Sequence, residues 1–382
     1  MKKIFITLFI LLLLLPNLVY AEEDITPNAK NSILIEVSTG KILYEKNKDD
    51  RVSVASLTKM MAQILILEEV ESGRLSWDEE IKASANAAGY GGTQIYLEPG
   101  EVMTARELMK GISMASANDA TVVLAERIAG TEDKFVEMMN KKAKELGLKN
   151  TNFVNPTGLD EDNHYSSAYD MAIIGIELLK HPGIYEFSSL YEDYLRQDTK
   201  NKFWLVNTNK LVRTYEGCDG LKTGFTDKAG YTMAVTAKKN NMRLLAIVLG
   251  ETVSKVRNKE TTQLLDYGFN TYKIDLLKKK GDIIDTIKIN KGKDEIYAIL
   301  DNDIMILSKK NEVKEDYKEK IKLNDIKLPV KKNDKVGVLE LYDNNKLIGK
   351  YNLVSNKSIK KKSIFKTYMD NIKDIIIGNF TL

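Results

Sequence analysis

The spacing of apolar residues changes along the chain from the period of a strand to that of a helix and back. Ser32 to Val37 alternates, and Ile42 to Glu45 follows a turn at 38–41, so this stretch is predicted to form a β-hairpin. Met60 to Val70, closed by Gly73, is apolar on nearly all sides, which is typical of a helix buried inside a domain. Further helices are predicted over residues 104–114, 118–129, 132–146 and 167–179.

Strand patterns return in the next part of the chain. They cover residues 221–225, 231–238 and 243–250, and a helix is predicted over residues 259–272. Strands at both ends with helices between them indicate an α/β domain over residues 26–274. Within it, residues 76–99 are expected to be irregular, and the glycine-rich stretch 89–92 is flexible enough to border a cleft.

The region after this domain has a different character. Short alternating runs occur at residues 283–289, 295–300, 336–341 and 346–353, and they predict a smaller β-rich domain over residues 275–357. It contains no combination of residues that indicates chemistry.

The last segment, residues 358–382, is predicted to form an amphipathic helix. Its apolar positions follow one helical face: Ile364, Phe365, Tyr368, Met369, Ile372, Ile375 and Ile376. Lysines precede that face at positions 357, 360, 361 and 362. Such a helix is too interrupted to span a bilayer, but it can lie in the interface beside anionic lipids. The alternative is a terminal helix docked on its own domain.

The N-terminus has the pattern of an export signal. Lys2 and Lys3 precede an apolar run from Ile4 to Leu15, and Val19-Tyr20-Ala21 fits a cleavage site. We therefore expect residues 1–21 to be a signal peptide and the mature protein to be exported. An uncleaved membrane anchor is the alternative interpretation.

The composition of the 382 residues is that of an ordinary globular protein. Hydrophobic residues make up 43%, enough for a sizeable core, and charged residues make up 29%. Lysine and arginine (57) are mixed with nearly as many acids (54), so nothing favours a nucleic-acid partner. A single cysteine, Cys218, excludes an intrachain disulfide, and we interpret it as a small buried residue rather than a reactive thiol.

The stretch Ser56-Leu57-Thr58-Lys59 carries the first candidate chemistry. Residues three apart share a helical face, so Lys59 would lie beside Ser56 and could accept the proton of its hydroxyl. The chain has only two histidines, His164 and His181, and neither has a catalytic sequence context. Lysine is then the natural base, provided that its pKa is lowered. With one cysteine and no histidine pair, no metal site or cofactor is expected.

Two later motifs complete an ordered set. Ser116-Ala117-Asn118 lies where two predicted helices meet, and Lys222-Thr223-Gly224 lies on a predicted strand. Each motif is weak alone, since Ser84-Ala85-Asn86 repeats the spacing of the second. In the order Ser-x-x-Lys, Ser-x-Asn, Lys-Thr-Gly they form the signature of penicillin-recognising serine enzymes.

With these motifs the chain resembles the low-molecular-weight penicillin-binding proteins of the D-alanyl-D-alanine carboxypeptidase family. Further matching stretches are residues 92–97, 155–160, 165–168 and 219–231. The resemblance implies a serine β-lactamase/DD-peptidase-like domain with a central antiparallel sheet and a helical cluster. A small β-sandwich-like domain and a C-terminal membrane-anchor helix would follow it.

The resemblance also implies a role for each site residue. Ser56 would be the acyl-ester nucleophile, Lys59 its base, Ser116 a proton relay and Asn118 a positioning residue. The other residues implied are Lys222, Thr223, Gly224, Phe225 (through its backbone amide in the oxyanion hole) and Arg257. Two departures from the family are Thr208, where some members carry an arginine, and Phe225, where others carry a histidine.

The implied substrate is a peptidoglycan stem peptide ending in D-Ala-D-Ala, and β-lactam antibiotics would acylate Ser56. The implied location is the outer face of the cytoplasmic membrane, with residues 358–382 as a peripheral anchor. Two alternatives remain open at this point. One is a β-lactamase, for which no deacylating glutamate motif is evident. The other is a non-catalytic, wall-binding membrane protein.

Overall fold

The computed structural model describes residues 24–289, 294–312 and 317–361, together with Ile372. The expected signal peptide and most of the expected C-terminal helix lie outside these residues. No helix in the described part of the chain is long and apolar enough to cross a membrane.

A five-stranded sheet forms the centre of the part of the chain that carries the motifs. Its strand order is β2-β1-β9-β8-β7. The strands are β1 (Asn31–Glu36), β2 (Lys41–Lys46), β7 (Cys218–Thr226), β8 (Gly230–Lys239) and β9 (Met242–Glu251). β7 and β8 pair antiparallel from Cys218↔Ala237 to Thr226↔Gly230. The α/β class expected from the sequence is confirmed.

Nine α-helices accompany this sheet within the described residues. They are α1 (Lys59–Glu71), α2 (Ala85–Ala88), α3 (Ala105–Lys110), α4 (Asn118–Ala129), α5 (Glu132–Glu145), α6 (Ala168–Leu178), α7 (Tyr185–Ser188), α8 (Leu211–Thr214) and α9 (Ser254–Thr271). Residues 59–67 of α1 are all buried, as its nearly continuous apolar sequence predicts. A buried helix is a rigid support for a reactive group.

The junction between α3 and α4 has an unusual backbone. Thr104 and Glu107 form a reciprocal capping box that starts α3. The helix then widens into a π-turn over Gly111–Ala115, and Ser116 adopts a left-handed conformation with φ of +65°. Because π-turns and left-handed non-glycine residues are often found at functional sites, this junction is a candidate position for one.

Three features differ from the sequence expectations. Residues 76–99 include a short strand, β3 (Glu80–Lys82), which pairs with β4 (Val102–Thr104). A two-stranded hairpin, β5 (Glu192–Leu195) and β6 (Phe203–Val206), was not predicted because each strand has only four residues. Helix α9 begins five residues earlier than expected, at Ser254.

The chain divides into two compact units. Among the described residues, the larger comprises 24–34, 44–237 and 245–266, and the smaller comprises 35–43, 238–244 and those from 267 onwards. The smaller unit contains β10 (Tyr272–Lys278) paired with β13 (Ile304–Lys309). It also contains a sheet of order β11-β12-β16-β15-β14. These strands are Ile283–Ile289, Asp294–Leu300, Lys346–Ser355, Lys335–Asp343 and Lys318–Leu323, respectively.

Candidate active site

Ser56 lies in a single 3₁₀ turn, Ala55–Thr58, that leads directly into α1 at Lys59. The turn keeps the two residues on one side, and Lys59 Nζ lies 2.9 Å from Ser56 Oγ. Nζ also donates a 2.7 Å hydrogen bond to the carbonyl oxygen of Thr157. The sequence prediction that Lys59 lies beside the Ser56 hydroxyl is met in this geometry.

The environment of Lys59 favours a neutral amine. Its side chain is fully buried, and burial lowers its pKa well below the usual 10.5. The positive charge of Lys222 lowers the pKa further, while the carboxylate of Asp119 acts in the opposite direction. A lysine with a strongly lowered pKa is able to take the proton of a serine hydroxyl near neutral pH.

The turn at residues 155–158 positions the carbonyl that Lys59 contacts. Asn155 Oδ1 accepts hydrogen bonds from the backbone N–H of Thr157 (3.2 Å) and of Gly158 (2.7 Å). Gly158 has φ of +84°, and a Cβ there would lie 2.0 Å from the carbonyl oxygen of Ala55. Only glycine therefore permits this close approach to the turn that carries the nucleophile.

Ser116 lies at the junction before α4, and Asn118 is the first residue of α4. Ser116 Oγ is buried and has no hydrogen-bond partner among the described residues, so it is available to an incoming group. Asn118 Nδ2 donates to the carbonyl of Gly91 (2.7 Å), and Asn118 N donates to the carbonyl of Thr93 (2.7 Å). No hydrogen bond in the described part of the chain joins Asn118 to Lys59. Asn118 instead fixes the loop at residues 91–93.

Asp119 extends this attachment of the loop. Its buried carboxylate accepts from the backbone N–H of Ile95 (3.1 and 3.2 Å to its two oxygens) and of Leu97 (3.1 Å). Asn118 and Asp119, at the start of α4, thus fix two consecutive parts of one loop, residues 91–93 and residues 95–97. The loop that was expected to border a cleft is therefore held firmly against α4.

The Lys-Thr-Gly motif occupies the middle of β7. Lys222 is buried, and its Nζ donates a 2.9 Å hydrogen bond to the carbonyl of Thr223. Burial and the nearby charge of Arg257 lower the pKa of Lys222 to about 7. Thr223 Oγ1 donates to Thr208 Oγ1 at 2.8 Å. Thr208 thus lies beside the motif, at the position where the resemblance anticipates an arginine in other proteins.

Gly224 brings β7 close to the nucleophile. A Cβ at this position would lie 2.9 Å from the backbone nitrogen of Ser56 and 3.0 Å from Ala55 Cβ. The first distance is shorter than real Cβ atoms show, the second is tighter than most Cβ contacts, and the same Cβ would lie 2.6 Å from Thr232 Oγ1. The lack of a side chain at Gly224 lets the two backbone segments that carry the expected oxyanion-hole amides, those of Ser56 and Phe225, lie next to each other.

Phe225 and Arg257 lie at one end of this arrangement. The Phe225 side chain is half exposed, and its ring centroid lies 4.4 Å from that of Tyr231. The Arg257 guanidinium lies 5.8 Å from the Tyr231 centroid, and Nη1 donates to the carbonyl of Thr232. Burial lowers the pKa of Arg257 to about 10, so this side chain stays cationic at neutral pH.

One residue without a catalytic sequence context contacts the site. His164 Nε2 lies 2.9 Å from Thr58 Oγ1, and the backbone N–H of Val154 donates to Nδ1 at 3.1 Å. Because Nδ1 is the acceptor, the proton is assigned to Nε2, which donates to Thr58. Burial lowers the pKa of His164 to about 4, so the ring is neutral. The sequence around His164 gives no sign of this contact with Thr58, which lies 106 residues away in the chain.

The described residues contain no group of three or more His, Cys, Asp and Glu side chains that could hold a metal ion. The side chains that meet at the site are those of Ser56, the buried Lys59 and Lys222, and their hydrogen-bond partners. Its chemical capacity is acyl transfer through Ser56.

Comparison with known proteins agrees with this arrangement. The model of the D-alanyl-D-alanine carboxypeptidase family matches residues 19–253. The model of the C-terminal domain of penicillin-binding protein 5 matches residues 272–361. The D-alanyl-D-alanine carboxypeptidase DacF of Bacillus subtilis is 45% identical over 94% of this chain and 95% of its own length. DacA of Escherichia coli is 34% identical over 91% of this chain and 87% of its own length.

Two solved structures show the same fold. Penicillin-binding protein 5 of Haemophilus influenzae superposes with a TM-score of 0.74 at 31% identity, covering 87% of this chain and 98% of that protein. Penicillin-binding protein D2 of Listeria monocytogenes, in its ampicillin-bound form, has a TM-score of 0.57 at 34% identity over 63% of this chain and 98% of that one. The chain belongs to the D-alanyl-D-alanine carboxypeptidase family.

Proposed function

We propose that the protein is a serine-type D-Ala-D-Ala carboxypeptidase that removes the terminal D-alanine from peptidoglycan stem peptides during cell-wall biogenesis. The observation that carries the proposal is the 2.9 Å contact between Lys59 Nζ and Ser56 Oγ, with the pKa of Lys59 lowered by burial and by Lys222. Relatives that share the family carry this activity in their names.

The reaction begins with the Ser56 hydroxyl. Lys59 takes its proton as Oγ attacks the carbonyl carbon between the two D-alanines. The negative charge that forms on the carbonyl oxygen is stabilised by the backbone N–H groups of Ser56 and Phe225, where one donor typically contributes ~10²–10³ in rate. Ser116 passes a proton to the nitrogen of the departing D-alanine, and water then hydrolyses the ester on Ser56.

The free carboxylate of the substrate is bound at the other end of the site. Thr223 supplies a hydroxyl, and Arg257 and Lys222 supply positive charge. Thr208, hydrogen-bonded to Thr223, occupies the position where the resemblance anticipates an arginine in other members. Carboxylate recognition in this chain therefore depends mainly on Thr223 and Arg257, while Asn118 positions the peptide before the scissile bond.

We also propose that penicillins acylate Ser56. Their strained amide presents a carbonyl and a carboxylate in the arrangement of the D-Ala-D-Ala terminus. The Listeria relative was solved with ampicillin bound. A long-lived acyl group on Ser56 is the expected product.

The proposed location is the outer face of the cytoplasmic membrane. The sequence of residues 1–21 supports export, and the amphipathic pattern of residues 358–382 supports a peripheral anchor beside anionic lipid. Flotation with vesicles containing anionic lipid tests the anchor. The full chain should float, a chain ending at residue 357 should not, and equal behaviour of the two would refute the anchor.

The activity itself is tested by incubating purified protein with labelled penicillin and, separately, with a pentapeptide ending in D-Ala-D-Ala. The carboxypeptidase should release D-alanine and become labelled, and Ser56→Ala should abolish both. Rapid penicillin turnover without D-alanine release would identify a β-lactamase. If the protein shows no labelling and releases no D-alanine, only the non-catalytic wall-binding role remains.

A further inference from the structure

One depression in the larger unit is not used by the proposed mechanism. It has a volume of about 850 Å³ and lies between the loop at residues 95–103 and the β5–β6 hairpin. Its lining includes the side chains of Tyr96, Glu98, Arg196, Asn201 and Phe203. A volume of this size matches sites that enclose a ligand larger than one amino-acid side chain.

Tyr96 is the most unusual residue of this pocket. Its backbone is left-handed, with φ of +57°, which is strained for a bulky residue. Its side chain is nevertheless 69% exposed, and its ring lies edge-on to that of Phe203 at a centroid distance of 6.1 Å. A strained backbone that holds an aromatic ring in water favours a role in binding.

The pocket wall is held in place from two directions. Arg196 Nη1 donates to the carbonyl of Ile95 (3.0 Å), and its Nη2 donates to the carbonyl of Tyr96 (3.3 Å). The same guanidinium forms a two-point ion pair with Glu101, at 2.6 and 3.1 Å. On the other side, Asp119 binds the backbone of Ile95. Tyr96 is therefore presented by a preformed structure.

The loop that carries Tyr96 is joined to the Ser-x-Asn motif through Asn118. Thr93, which contacts Asn118, lies three residues before Tyr96, so their Cα atoms are at most roughly 10 Å apart. Four stem-peptide residues precede the scissile bond, and fully extended they span roughly 14 Å. The stem peptide is attached to an amino sugar of the glycan strand through its N-terminus, so that sugar lies up to roughly 14 Å from the scissile bond, comparable to the span from Thr93 to Tyr96.

The lining selects against an anion. It contains three glutamates (Glu98, Glu101 and Glu107) and one arginine, which gives a formal charge of −2. Carboxylate and amide groups of this kind bind hydroxyl and N-acetyl groups, and an exposed aromatic ring packs against the apolar face of a sugar ring. These features fit a neutral, polar ligand with one apolar face.

We propose that this depression, here called the Tyr96 pocket, is an accessory subsite for an N-acetylated amino sugar of the glycan strand that carries the stem peptide. The proposal rests on the proposed carboxypeptidase function. It makes the glycan part of the recognised substrate, so the enzyme acts more efficiently on a glycan-bearing stem than on a free peptide.

The test compares two substrates with the same peptide: an N-acetylated pentapeptide and the corresponding disaccharide-pentapeptide. The ratio of their kcat/KM values is the readout because it cancels differences in the amount of folded enzyme. The wild type should favour the disaccharide substrate about two- to tenfold, the range expected for one aromatic contact. Tyr96→Asn, which tolerates the left-handed backbone but lacks the ring, should bring the ratio to about one.

Two controls define the result. Tyr96→Phe keeps the ring and should keep the preference. Trp204→Ala removes an exposed aromatic side chain that points away from the face of β6 on which Phe203 lies. This variant should also keep the preference for the disaccharide substrate. A wild-type ratio of one would overturn the sugar subsite. An equal loss of kcat/KM on both substrates in Tyr96→Asn would also overturn it, because the pocket would then bind the peptide. Failure to release D-alanine from either substrate would instead contradict the carboxypeptidase function itself, and the subsite with it.

Discussion

Replacing His164 by glutamine should remove an acid-sensitive contribution to the stability of the unit that carries Ser56. The neutral ring accepts from Val154 N–H and donates to Thr58 Oγ1, in the turn of the nucleophile. Protonation would place an N–H on Nδ1, facing the N–H of Val154, and a positive charge in a buried site. Lys59 and Lys228 oppose that charge, and Asp160 favours it.

The size of the effect follows from the pKa of His164. Folding lowers this pKa from 6.5 to about 4, so the unfolded chain binds the proton more readily. The stabilisation is therefore fully present above pH 6.5 and is lost as the pH falls towards 4. Linkage gives a loss of about 2 kcal/mol in the free energy of unfolding between pH 7 and pH 5. Glutamine does not titrate and can donate and accept in similar positions.

The assay is urea unfolding monitored by tryptophan fluorescence at pH 7 and pH 5. Both tryptophans of the chain, Trp77 and Trp204, lie in the larger unit, so the signal reports the unit that contains His164. The quantity to compare is the change in unfolding free energy between the two pH values, which should be about 2 kcal/mol larger for the wild type than for His164→Gln. An equal pH dependence in the two proteins would refute the reasoning.

Two further predictions concern the acylation rate, measured with a labelled penicillin. Gly224→Ala should lower the rate by at least ~10²-fold, because a Cβ 2.9 Å from the backbone nitrogen of Ser56 displaces the oxyanion hole; a near-normal rate would contradict this role. Lys222→Met removes a cation that lowers the pKa of Lys59, so the acidic limb of the pH–rate profile should move to higher pH. A limb that stayed in place or moved to lower pH would show that Lys222 does not control Lys59.

The sequence predicted those parts of the fold that depend on local patterns. Helix α1 was predicted because its residues are apolar on nearly all sides. Part of β7 was predicted from the strand pattern of residues 221–225, which contain the Lys-Thr-Gly motif. The contact between Ser56 and Lys59 was expected from their spacing of three residues at the start of a predicted helix. The resemblance to a known family then supplied the order and expected roles of the remaining site residues.

Features that depend on contacts distant in sequence could not be predicted in this way. The carbonyl of Thr157 lies 98 residues from Lys59, and His164 lies 106 residues from Thr58. The left-handed backbone of Ser116 has no signal in its residue type, since serine seldom adopts that conformation. Such positions are fixed by tertiary structure, which local propensity does not encode.

The central claim is that Lys59 acts as a neutral base for Ser56. Its most direct test is the pH dependence of the acylation rate of the wild type and of Lys59→Arg, whose guanidinium stays charged. The claim predicts an acidic limb with an apparent pKa well below 10.5 in the wild type and no acylation of Lys59→Arg between pH 7 and 9. A wild-type rate that rises until about pH 10.5, or a Lys59→Arg variant that acylates normally, would contradict it.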